Sequence, residues 1–129
     1  MIMVVGYLAV LTILLGAFLG LLHRIIDNEN RAEWRQVCFN LAEAGIESAI
    51  SELKTAPGEY RGENQTPLGE GCFSVSVEPG DSADKFFVTA TGEIVNGDMP
   101  LASARIVAEV SVPQSGRVKV LDWREVKRR

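Results

Sequence analysis

Residues 1–22 read MIMVVGYLAVLTILLGAFLGLL and carry no charge, while all 13 basic and 17 acidic residues lie from Arg24 onward. At about 1.5 Å per residue the run makes a helix of roughly 33 Å, matching a hydrocarbon core of about 30 Å. A signal peptide would have a basic start and a small-residue cleavage site after the run. Neither pattern is present, so residues 1–23 are expected to stay with the protein as a transmembrane half-helix.

The helical pattern continues past the apolar run. No Pro occurs until Pro57, and Trp34, Cys38, Leu41, Ala42, Gly45, Ala49 and Leu53 recur at three- and four-residue steps. That spacing is the stripe of an amphipathic helix, and Pro57-Gly58 stops it. One helix of about 55 residues is expected, apolar all round in its first half and on one side in its second.

Downstream, residues 57–71 (PGEYRGENQTPLGEG) have no period and read as a surface loop. The period then becomes two. Phe73, Val75 and Val77 mark one strand, and Phe86, Val88, Ala90 and Ile94 a second, with Gly92 a candidate bulge. Asn96-Gly97-Asp98 signals a reversal, and Met99-Pro100 suggests a loop longer than two residues. Ile106, Ala108, Val110 and Val112 mark a third strand, and residues 117–122 add a fourth, with Trp123 near its end. A sheet with one apolar face needs cover, and the helical stripe needs a partner. The expected fold is therefore α+β: a long N-terminal helix packed on a small antiparallel sheet of three to four strands. Its parts are the apolar half-helix 1–23 and a globular domain 24–129. The latter divides into amphipathic helix 24–55, loop 56–71, sheet 72–122 and basic tail 123–129.

Composition excludes several functions. A net charge of −4 argues against nucleic-acid binding, which needs basic surface for phosphates. No G-x-S-x-G, Walker loop or C-x-x-C occurs, so neither catalysis nor a cofactor is expected. The lone histidine, His23, reads as an amphipathic residue at the membrane boundary. Glu78, Asp81 and Asp84 form a solvated acidic turn, too few carboxylates to fix calcium. Asn64-Gln65-Thr66 fits the glycosylation acceptor pattern. Gly16 and Gly20 form G-x-x-x-G, a close-packing site or a hinge in the apolar helix.

The cysteines, Cys38 and Cys72, suit a disulfide in an oxidising compartment. Cys38 falls in the middle of the helical stripe and Cys72 opens the first strand, so a bridge would staple helix to sheet. Residues 55–116 carry nine acids and three bases, whereas residues 117–129 carry six bases and two acids. Arg124, Lys127, Arg128 and Arg129 are thus candidates for contact with acidic surface on a neighbouring subunit.

The architecture as a whole resembles a type IV pilin or pilin-like protein. The segment Asn40-Leu-Ala-Glu-Ala-Gly-Ile-Glu-Ser-Ala-Ile50 resembles a helix motif common in minor pilins and related assembly proteins, and Asp122-Trp-Arg-Glu-Val126 has a similar flavour. The resemblance implies a structural subunit of a pilus or secretion pseudopilus, anchored in the inner membrane before joining an extracellular or periplasmic filament. Its partners would be further copies or other pilin subunits, held through the N-terminal helix. It also implies a processed, methylated N-terminus at Met1. Where the family usually carries a glutamate near its N-terminus this chain has Val5, and the proline common in the family's apolar half-helix is missing. The second expectation is a bitopic, membrane-anchored binding module that does not polymerise.

Overall fold

In the computed structural model, which describes residues 2–114 and 117–126 apart from the side chains of Ile2, Asp27 and Asn28, helix α1 runs without a break over Ile2–Thr55. Its three early glycines, Gly6, Gly16 and Gly20, each cost about 1 kcal/mol against alanine, too little to break so long an apolar run. Lys54 sits in the last turn, where a cation complements the exposed carbonyls. Pro57 follows, and Gly58 takes a φ of 95° that reverses the chain. The chain divides into two units, residues 1–33 and 34–129.

In the second unit, strands β1 (Gly62–Leu68), β2 (Gly71–Pro79), β3 (Lys85–Asn96), β4 (Met99–Ser111) and β5 (Lys119–Val126) form one sheet. They lie in chain order, each antiparallel to the next. The α+β expectation holds, with five strands where three to four were expected. Two strands account for the difference from the sequence reading. Strand β1 lies inside the stretch read as a loop, and β5 runs on through Trp123 to Val126, into the stretch read as a tail. The β3–β4 connection is also shorter than expected. Asn96 pairs with Met99, leaving a two-residue turn in which Gly97 takes a φ of 65°.

Period two sorts the sheet into an inner and an outer face. Phe73, Val75 and Val77 of β2, Val88, Ala90 and Ile94 of β3, and Ala104, Ile106, Ala108 and Val110 of β4 are buried on the inner face. Cys38, Leu41, Ala42, Ala49 and Leu53 of α1 complete this core. Trp34, assigned to the same stripe by its spacing, is instead 37% exposed.

The layers meet closely because small residues face each other. A Cβ on Gly45 would lie 3.1–3.2 Å from side-chain atoms of Phe73, Val75 and Ala90. A Cβ on Gly92 would lie 2.1 Å from the Cys38 carbonyl oxygen and 2.8 Å from the Ala42 nitrogen. Gly92 is therefore no bulge: it pairs in register with Phe73 and Ala104, and its missing side chain admits the helix backbone. The register shift in this hairpin falls one step on, between Ile94 and Val95.

Candidate functional site

The first candidate surface is the helix itself. Every side chain described over residues 3–26 is exposed, including sixteen large apolar ones from Met3 (90%) to Leu22 (40%) and Ile26 (55%). This segment is long and apolar enough to cross a membrane. Nothing lies within 4 Å of a Cβ built on Gly16 or Gly20, so their small size leaves an open notch on the helix and serves no packing inside the chain. His23 is exposed just beyond the apolar run. Met1 lies outside the described residues.

The cysteine bridge is not formed: Cys38 and Cys72 are both free thiols. The reason is parity. Phe73 points to the helix, so Cys72, one residue earlier, points to the outer face beside its partner Glu93. Cys38 is fully buried on the inner side. Burial pushes its thiol pKa up, the Ile94 backbone N–H opposes that, and the charges of Glu93 and Cys72 add to the rise.

A polar cluster that the loop reading missed ties β1 to the helix. Two residues of β1, Asn64 and Gln65, oppose Ser74 alone, and Gln65 takes a φ of 48°. The extra residue turns Glu63 and Thr66, three apart, to the same side. Glu63 then accepts three hydroxyl bonds: from Ser48 of α1 at 3.2 Å, from Tyr60 at 3.3 Å and from Thr66 at 2.9 Å. Burial, the nearby Glu63 charge and this hydrogen bond push the Tyr60 phenol up to about 12. The bulge is held from outside by the Gln65 N–H, which donates to Ser74 Oγ at 3.0 Å. Asn64 of the glycosylation pattern is exposed on this strand.

At the far edge, Trp123 of β5 packs on Phe39 with ring centroids 6.0 Å apart, and Arg35 bonds Glu125 at 3.1 Å. Arg124 alternates with these two, is exposed, and sits opposite Val107 on the outer face. Its proposed companions Lys127, Arg128 and Arg129 lie outside the described residues. A cavity of about 400 Å³ beside the Arg35–Glu125 pair is lined by both signs of charge, with Arg105 and Glu93. Another of about 340 Å³ lies near Lys54, Asp84 and Phe86. Among the described residues no group of three or more His, Cys, Asp or Glu side chains could hold a metal, so Glu78, Asp81 and Asp84 do not converge. No protein-family model, curated protein or solved structure matches the chain.

Proposed function

We propose that the chain is a structural subunit of a type IV pilus-like filament, polymerising through its apolar N-terminal helix. The observation that carries this reading is the exposure of all sixteen large apolar side chains over residues 3–26 on a helix that continues unbroken into the sheet domain. Burying a large apolar side chain is worth about 1.5–3 kcal/mol, so the set amounts to tens of kcal/mol. Lipid satisfies that demand before assembly. Afterwards the cover must come from other copies of the same helix, packed in a filament core with the sheet domains outside. The open notch at Gly16 and Gly20 suits such close helix–helix approach.

In this reading the subunit waits in the inner membrane with its sheet domain outside the cytoplasm, then leaves the bilayer for an extracellular or periplasmic filament. The pilin-like Asn40–Ile50 segment supports it further, because Leu41, Ala42, Gly45 and Ala49 of that segment are the helix residues buried against the sheet. Arg124 and the basic residues after it would face acidic surface on a neighbouring copy. Exposed pairs give only about 0–1 kcal/mol each, so their effect would come from repetition along the polymer.

Electron microscopy of the purified chain, as detergent is withdrawn, tests the proposal. Helical filaments are the expected result. Monodisperse particles under every condition would refute it and leave the anchored, non-polymerising module. Reversing the charge of Arg124, Lys127, Arg128 and Arg129 should shift the salt range over which filaments persist; an unchanged salt profile removes the tail from the interface.

A further inference from the structure

The β3–β4 hairpin outruns the strands on both sides of it. Strand β2 pairs with β3 only as far as Glu93, and the described part of β5 pairs with β4 only as far as Arg105. Among the described residues, the stretch from Val95 to Leu101 therefore pairs with itself alone, past the register shift between Ile94 and Val95. Every residue of this stretch is exposed. A two-stranded ribbon in water is marginally stable, so its end opens at little cost while the sheet stays folded.

At that end stands Asn96-Gly97. An asparagine side-chain amide is open to attack by the backbone nitrogen of the next residue, a reaction limited by how closely that nitrogen approaches Cγ and by whether its N–H is held. Of the five asparagines, only Asn96 precedes a glycine. Gly97 has no side chain to obstruct the approach, nothing lies within 4 Å of a Cβ built on it, and among the described residues no hydrogen bond holds its N–H. At the other four the attacking nitrogen is restrained. Asn28, Asn30 and Asn40 lie within α1, where the following N–H bonds a carbonyl one turn back. Asn64 precedes Gln65, whose N–H donates to Ser74 Oγ at 3.0 Å.

We propose that Asn96 is a self-modification site, where the chain deamidates with water as the only co-reactant. The Gly97 nitrogen gives up its proton and bonds to Asn96 Cγ. The Cγ–Nδ2 bond breaks, and the amide nitrogen leaves as ammonia with that proton. Water then opens the resulting cyclic imide at one of its two carbonyls. One opening restores the main chain with aspartate at position 96; the other routes the main chain through the side-chain carbonyl as isoaspartate. Both add a carboxylate near Asp98. Isoaspartate also lengthens the backbone by one carbon, which disrupts the two-residue turn that closes Asn96 on Met99. The hairpin end, with exposed Val95, Met99 and Leu101, thus changes irreversibly as the protein ages. The inference is independent of the filament reading.

The test incubates the purified full chain in detergent and mildly alkaline buffer, then follows its tryptic peptides by mass. Peptide 86–105 contains Asn96 and no other amide side chain, and peptide 62–85 contains Asn64 as an internal comparison. Peptide 86–105 should take on the mass of the acid severalfold faster than 62–85, at a rate close to that of the same chain unfolded in urea. Part of the product should accept a methyl group from S-adenosylmethionine through an isoaspartyl methyltransferase. Asn96→Gln should abolish that methyl acceptance, and Gly97→Ala should slow the conversion severalfold, folded or in urea. Conversion at 96 no faster than at 64, conversion only in urea, or an unslowed Gly97→Ala chain would overturn the proposal. Methyl acceptance that persists in Asn96→Gln would place the isoaspartate elsewhere and overturn it too.

Discussion

Alanine at Gly92 should separate the helix from the sheet. Its added Cβ would lie 2.1 Å from the Cys38 carbonyl oxygen, 2.8 Å from the Ala42 nitrogen and 2.8 Å from the Leu41 Cβ. Ordinary contact begins near 3.4 Å, so α1 must lift by about 1 Å, and a gap of that size forfeits up to half of each dispersion contact beneath it. The obstructing atoms are backbone, which cannot swing aside as a flexible side chain would. Overpacking typically costs about 1–3 kcal/mol, and this site belongs at the top of that range. With a urea dependence of about 1–1.5 kcal/mol per molar for a domain this size, the midpoint should fall by roughly 2–3 M. The assay is urea unfolding in mild detergent, followed by the fluorescence of Trp34 and Trp123. Gly16→Ala and Gly20→Ala are the controls: their Cβ atoms meet nothing within 4 Å, so helix propensity alone acts and no loss is expected. An unchanged or raised midpoint for Gly92→Ala would refute the packing of Cys38 and Ala42 on β3.

Glu63→Ala should cost about 2–4 kcal/mol in the same assay, since hydrogen bonds to a charged acceptor are worth about 1.5–3 kcal/mol and three part-buried hydroxyls lose theirs; a loss under about 0.5 kcal/mol would show that the cluster does not hold β1. Tyr60 should titrate near pH 12 by ultraviolet absorption. Because its folded pKa lies above the unfolded value near 10, the native state keeps the proton longer, and stability should fall between about pH 10 and 12. Tyr60→Phe should flatten that fall, and an unaltered profile would detach it from Tyr60. The raised Cys38 thiol gives a drop of the same sign above its ordinary value of 9.0. Thiol reagents should modify Cys72 in the native protein and Cys38 only after unfolding; an absence of free thiol in the unreduced, denatured chain would contradict the opposed faces.

What the sequence determined by itself is whatever a local period encodes. The uncharged run and the three- and four-residue stripe define α1 to within a residue of its observed end. The alternation at Phe73, Val88 and Ile106 defines three strands and their inner faces. The same alternation already placed Cys72, next to Phe73, on the outer face, so the opposed thiols were legible and the disulfide expectation overrode the signal. Strand β1 was not legible, because its residues alternate no apolar face and its extra residue breaks the period; it is a strand because β2 offers it an edge and Glu63 reaches Ser48 and Tyr60. Likewise, nothing local distinguishes a bulge glycine at position 92 from one that admits a helix backbone. Register decides that, by setting Gly92 between Phe73 and Ala104 beneath Cys38. Contacts between residues distant in the chain depend on which backbones approach, and an approach distance is a property of packed layers that no run of neighbouring residues contains.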